Sequence, residues 1–156
     1  MPNHGAAMKA ISHAFISLMA SMLRLTGSPS IESIETRELE RLLDSDDVVL
    51  VDVRSEAERS VSMIPGAVSK EQFEDEADQY RDRTIVPYCT VGGRALLYAR
   101  KLAKQGFDTR CHRESILGWC DAELPLVDAE GNPTNRVHVV MKPFRVPARY
   151  EAVTKA

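Results

Sequence analysis

The chain has 156 residues, is 44% hydrophobic and 28% charged, and carries a formal net charge of -3. That length supports one domain with a sizeable core rather than two. The mixed charge argues against a dedicated nucleic-acid surface, which needs a clustered basic face.

Met8 to Leu25 is apolar, with Ile11, Phe15, Leu18, Met22 and Leu25 at helical spacing. Ser12, His13, Ser17, Ser21 and Arg24 interrupt it, so it makes a poor membrane span. It reads as a surface-packed or partner-binding helix, with membrane association through residues 8–25 the minor alternative. No small-x-small cleavage site of the usual kind is read before Leu25. Gly27 to Ser30 reads as a linker, so residues 1–30 are treated as an extension.

Thr36 is placed to cap a helix bearing Leu39, Leu42 and Leu43. Val48 to Val53 is a near-continuous apolar run, as expected of a strand buried on both faces of a parallel sheet. Ile64-Pro65-Gly66-Ala67 predicts a turn into a short extended piece, and Lys70 to Tyr80 a polar helix. Thr84 to Tyr88 predicts the next strand, with a local distortion at Pro87, which has no N–H for a ladder. A helix is expected from about Ala95 to Gln105, ended by Gly106, then a strand over Phe107 to Cys111 and a short helix over Ile116 to Cys120. This alternation argues for an α/β fold with a mainly parallel sheet. Leu126 to Asp128 and Val137 to Met141, around the turn Glu130-Gly131-Asn132, predict a hairpin, with an irregular arm after it.

The chemistry points to Cys89. Cys89, Cys111 and Cys120 are odd in number and lack C-x-x-C spacing, so a disulfide framework and a zinc site both fit poorly. A reduced, cytoplasmic compartment with one working thiol is the simpler reading. Cys89 falls between a strand and a helix, where parallel sheets bind ligands. Thr90, Val91, Gly92 and Gly93 can curl so that backbone N–H groups face the sulfur, with the start of the next helix behind them. Arg94 adds a full charge. These features are expected to favour the thiolate, the form that attacks, and to cradle a persulfide anion. The bland alternative is a buried structural cysteine.

At these residues the chain resembles the rhodanese family, over about Ile34 to Leu126. Asp52-Val53-Arg54 matches the family's D-x-R at the end of its first long strand. Glu58 falls where the family has a downstream acid, and Ile64-Pro65-Gly66-Ala67 matches its I-P-G-A turn. Cys89 to Arg94 matches the active loop C-x-x-G-x-R, and Trp119 the tryptophan that begins the last short helix. The resemblance implies a three-layer domain over residues 31–127 with a central five-stranded parallel sheet, followed by a tail over 128–156. It implies sulfur transfer from thiosulfate or a persulfide-carrying protein onto Cys89, then to a thiol or cyanide. Asp52 and Arg54 would support the loop from beneath, and Glu58 would pair with an arginine. No cofactor or metal is implied.

Two departures stand out. Ser62-Met63 replaces the usual Gly-His, and Glu114-Ser115 replaces a usual glycine pair. Both are read as reshaping the pocket mouth without touching the thiol.

Two rivals remain open. A cysteine phosphatase or arsenate reductase would use a loop one residue longer than the four residues between Cys89 and Arg94. A non-catalytic rhodanese-fold interaction module would usually lack the cysteine. Cys111 and Cys120 are read as core residues, with Cys120 the better candidate for a resolving thiol. His112 and His138 are read as structural or solvated.

Overall fold

The computed structural model describes residues 14–19, 21–22, 27, 29–141 and 144–155. Residues 14–19 and 21–22 are helical (α1). The rest of the expected 8–25 helix, part of the linker, and Pro143 in the arm lie outside the described residues.

Then come β1 (Glu32–Ile34), α2 (Thr36–Leu42), β2 (Val48–Asp52), α3 (Glu56–Val61), β3 (Val68–Ser69) and α4 (Lys70–Asp75). A 3₁₀ turn (Ala77–Tyr80) leads to β4 (Thr84–Tyr88), α5 (Gly93–Lys104), β5 (Arg110–His112) and α6 (Ser115–Asp121). The expected helix over 70–80 is therefore two pieces, and Trp119 lies within α6 rather than at its start.

The strands lie side by side in the order β1-β5-β4-β2-β3, all parallel. The sheet is not one continuous ladder. It is hydrogen-bonded as a three-stranded part, β3-β2-β4, and a two-stranded part, β1-β5. The two meet at a single bridge, Ile85 to Thr109, where the Ile85 N–H donates to the Asp108 carbonyl. Two residues on, the next donor on that edge of β4 is Pro87, which has no N–H. The distortion expected at Pro87 takes this form.

Side chains alternate across β2 and β4 and so fill two cores. Leu50, Val86 and Tyr88 join Leu39, Ile116 and Trp119 on one face. Val49, Val51 and Ile85 meet Phe73, Tyr98 and Leu102 on the other. A third cluster extends that second face under the loop: Cys89, Ala95, Leu96, Ala99 and Cys111, with Ile16 of α1.

The C-terminal region departs from expectation. β6 (Leu126–Val127) pairs antiparallel with β7 (Pro133–Thr134), so the hairpin closes before Val137. β8 (Arg136–His138) pairs parallel with β9 (Glu151–Val153) instead, within what was expected to be an irregular arm. Val137 and Tyr150 are buried in the first core, so this region is fastened to the sheet domain.

Candidate active site

The site is assembled where β4 ends. Cys89 follows Tyr88, and the chain turns through Thr90 to Gly92 into α5. Gly92 has φ 102°, in the left-handed region that favours glycine. Its N–H donates to Cys89 Sγ at 3.0 Å, and Cys89 as a whole is 2% exposed. The glycine pair has a second cause. A Cβ on Gly92 would overlap the Arg113 carbonyl and Ile16, and one on Gly93 would overlap the Phe15 ring. Both glycines let α1 lie directly on the loop.

The loop is held from behind by α6. The N–H groups of Ile116 and Leu117 donate to the carbonyls of Cys89 and Thr90 at 3.0 and 3.3 Å. These are unpaired donors of the helix start put to use. Ser115 Oγ accepts from the Cys89 N–H at 3.1 Å. Its single hydroxyl hydrogen has two acceptors, the His112 carbonyl at 3.0 Å and Cys89 Sγ at 3.8 Å. The expectation that Glu114-Ser115 leaves the thiol untouched is therefore corrected. Ser115 has φ 54°, the conformation a glycine would adopt without strain.

Glu58 braces the other side. It is the third residue of α3 and closes a capping box with Ser55. Its carboxylate also takes two bonds from Arg94, both 2.8 Å, and one from Thr90 Oγ1 at 3.2 Å. Burial alone would raise the Glu58 carboxyl, but bonds from Arg94 and Ser55 outweigh it and hold it well below the usual carboxylate range. Arg94 is thus engaged by Glu58 and Thr90, rather than offering an unshared charge to the sulfur. His138 of β8 lies with Nδ1 3.9 Å from Glu58, next to the loop brace, where its spacing in sequence gave no hint of it.

Asp52 and Arg54 sit beneath. Arg54 spans the Asp52 carboxylate and donates to the Ser62 carbonyl, with both side chains sealed from solvent. Tyr88, the residue before Cys89, donates its hydroxyl to Asp52 and accepts from the Ile64 N–H at 3.1 Å. Burial, then the Asp52 charge, pushes the Tyr88 phenol well above its ordinary value. The D-x-R pair and the I-P-G-A turn are therefore joined through one tyrosine.

Two further expectations change. Thr36 is the first residue of α2, not its cap. Its hydroxyl bonds Glu114 Oε2 and lies 3.0 Å from His112 Nε2. His112 is fully buried, which lowers its pKa to about 4. Cys111, not Cys120, shares a cluster with Cys89, while Cys120 belongs to the core on the opposite face. Burial pushes both of those thiols up to about 12.

A cavity of about 490 Å³ opens above Cys89. The loop is its floor. Phe15 and Met19 of α1, Leu97 of α5, and Val140, Met141 and Phe144 of the C-terminal region wall it. None of the wall residues was singled out in the sequence as part of the site. Among the described residues, no helix is long and apolar enough to cross a membrane.

The rhodanese-like domain family matches residues 35–122. A sulfurtransferase of Allochromatium vinosum is 33% identical over 106 residues, 65% of this chain and 99% of that protein. The chain belongs to the rhodanese-like family, and its relatives support a sulfurtransferase-type function. Among solved structures, a thiosulfate sulfurtransferase of Pseudomonas aeruginosa has a TM-score of 0.61 at 23% identity, covering 78% of this chain and 23% of that one. A Rhodopseudomonas palustris protein described as a possible tyrosine phosphatase has a TM-score of 0.53 at 24% identity, covering 81% and 96%. At such identities these two likenesses speak for the fold alone.

Proposed function

We propose that this protein carries sulfur as a persulfide on Cys89, taken from thiosulfate or a protein persulfide and passed to a thiol or cyanide. The observation that carries the reading is the placement of Cys89 Sγ. It lies at the end of a parallel strand, faces a cavity, and receives the Gly92 N–H at 3.0 Å.

Loading is a displacement. The Cys89 thiolate attacks the outer sulfur of the donor, a new S–S bond forms, and the donor's bond to that sulfur breaks. The bonding pair leaves with sulfite or with the donor thiolate. Delivery repeats the step with the acceptor attacking the outer sulfur, and the Cys89 thiolate is restored. The N–H groups around the loop stabilise the negative terminal sulfur between the two steps. Thr90, Val91, Gly92 and Gly93 form the cradle. Arg94, tied to Glu58, fixes its shape. Asp52 and Arg54 act as positioning residues through Tyr88. We place the protein in the cytoplasm, where its thiols stay reduced.

Loop length supports sulfur over phosphate, since only four residues separate Cys89 from Arg94. Incubation with thiosulfate and with cysteine persulfide, followed by intact mass, tests the reading. One added sulfur, discharged by cyanide with release of thiocyanate and absent from Cys89→Ser, is expected. No added sulfur from either donor contradicts it.

A further inference from the structure

The cavity walls differ in chemistry from the loop they stand on. Among the described residues, Arg94 is the one charged side chain lining the cavity, and its guanidinium is already bonded to Glu58 and Thr90. An anionic or zwitterionic ligand therefore meets no unshared cation among the described wall residues. What it meets is Phe15, Met19, Leu97, Val140, Met141 and Phe144. The rim stays apolar where it reaches solvent: Phe15 is 46%, Leu97 47% and Met141 53% exposed. Soluble proteins seldom gather large apolar groups around an opening without a ligand for them. The volume, about 490 Å³, falls within the range of roughly 300–1,000 Å³ that encloses a small molecule.

Resting on the sulfurtransferase reading above, we infer that the acceptor at Cys89 is a small thiol with an apolar body. Its sulfur meets the loop and its hydrocarbon part fills the cavity between α1 and the C-terminal region. The acceptor gives its proton to solvent at the open mouth and attacks as a thiolate. The terminal sulfur of the Cys89 persulfide takes a proton from solvent at the same mouth, a bond forms between it and the acceptor sulfur, and the Cys89 S–S bond breaks. The pair returns to Cys89 as thiolate, and the product is the apolar persulfide R–S–SH. No electrons are gained or lost overall. A polar thiol such as glutathione would have to leave charged groups against the apolar wall, at a desolvation cost.

The test uses the full chain loaded with sulfur and freed of excess donor. It is discharged with ethanethiol, butanethiol, hexanethiol or glutathione, and loss of the extra sulfur is timed by intact mass. With rates divided by thiolate fraction, the account expects a rise of roughly two- to fourfold per methylene, with glutathione at least tenfold below hexanethiol. Leu97→Asp and, separately, Val140→Asp flatten that series, and both positions are open enough to solvent to accept the change. Rates independent of chain length, or glutathione equal to hexanethiol, overturn the inference.

A second arm needs no chemistry. Ethyl, butyl and hexyl methyl sulfides are titrated into Cys89→Ser, watching the methionine methyl resonances of Met19 and Met141. Affinity that climbs with chain length supports an apolar ligand, and flat or absent binding overturns it. If no donor loads Cys89, the sulfurtransferase reading fails on its own while this arm still decides what the cavity accepts.

Discussion

The floor and the roof of the site are built in opposite ways. Beneath Cys89, Asp52, Arg54 and Tyr88 form a buried polar network within the sheet domain. Above it, apolar side chains from α1 and from Val140, Met141 and Phe144 close the space without a polar bond to the loop among the described contacts. A buried ionic network is unforgiving, because removing one partner strands the other in a dry interior. An apolar wall is tolerant, because a lost methyl group costs only contact area. The difference suggests that the floor fixes the geometry of sulfur chemistry, while the roof is free to vary with the ligand.

Perturbing the floor should have the largest effect. Asp52→Ala leaves Arg54 buried and unpaired and should cost about 3–5 kcal/mol in urea unfolding. A cost under about 1 kcal/mol would mean that the network does not hold the floor. Next comes acid. His112 has a folded pKa of about 4 against an unfolded value of 6.5, so the unfolded chain binds the extra proton between those values. Stability is therefore full above pH 6.5 and falls as pH drops toward about 4, by up to about 3 kcal/mol. His112→Gln should flatten that slope, and unfolding midpoints across this window check it.

Smaller effects probe the roof. Gly92→Ala and Gly131→Ala both place a side chain at positive φ, 102° and 84°. Nothing lies within 4 Å of the second, so it should lose only the backbone penalty of about 1–2 kcal/mol. The first also collides with Ile16 and the Arg113 carbonyl, so it should cost more and slow sulfur loading. Equal costs would show that α1 does not press on the loop. Met141→Ala, half exposed, should stay within about 1 kcal/mol on the same unfolding measurement.

What the sequence made legible follows from range. The run Val48 to Asp52 names its own strand, and the segment from Cys89 to Arg94 carries its loop in consecutive residues. Glu58 was legible too, since Ser55 and Glu58 stand at capping-box spacing. Ser115 was hidden because it reaches Cys89 from 26 positions away and looked like a departure from pattern. The roof was hidden for the same reason, since Phe15 and Met141 line one cavity only once the sheet domain between them in sequence has folded. β9 has three residues and a parallel partner, so no hairpin turn or alternation announces it.

The proposed chemistry requires sulfur on Cys89 and not on another thiol. Peptide mapping after donor treatment and persulfide-preserving alkylation reads that directly. The expected result is the added sulfur on the peptide containing Cys89 alone, with Cys111 and Cys120, both buried, unmodified. Sulfur on Cys111 or Cys120 with Cys89 bare would contradict the assignment.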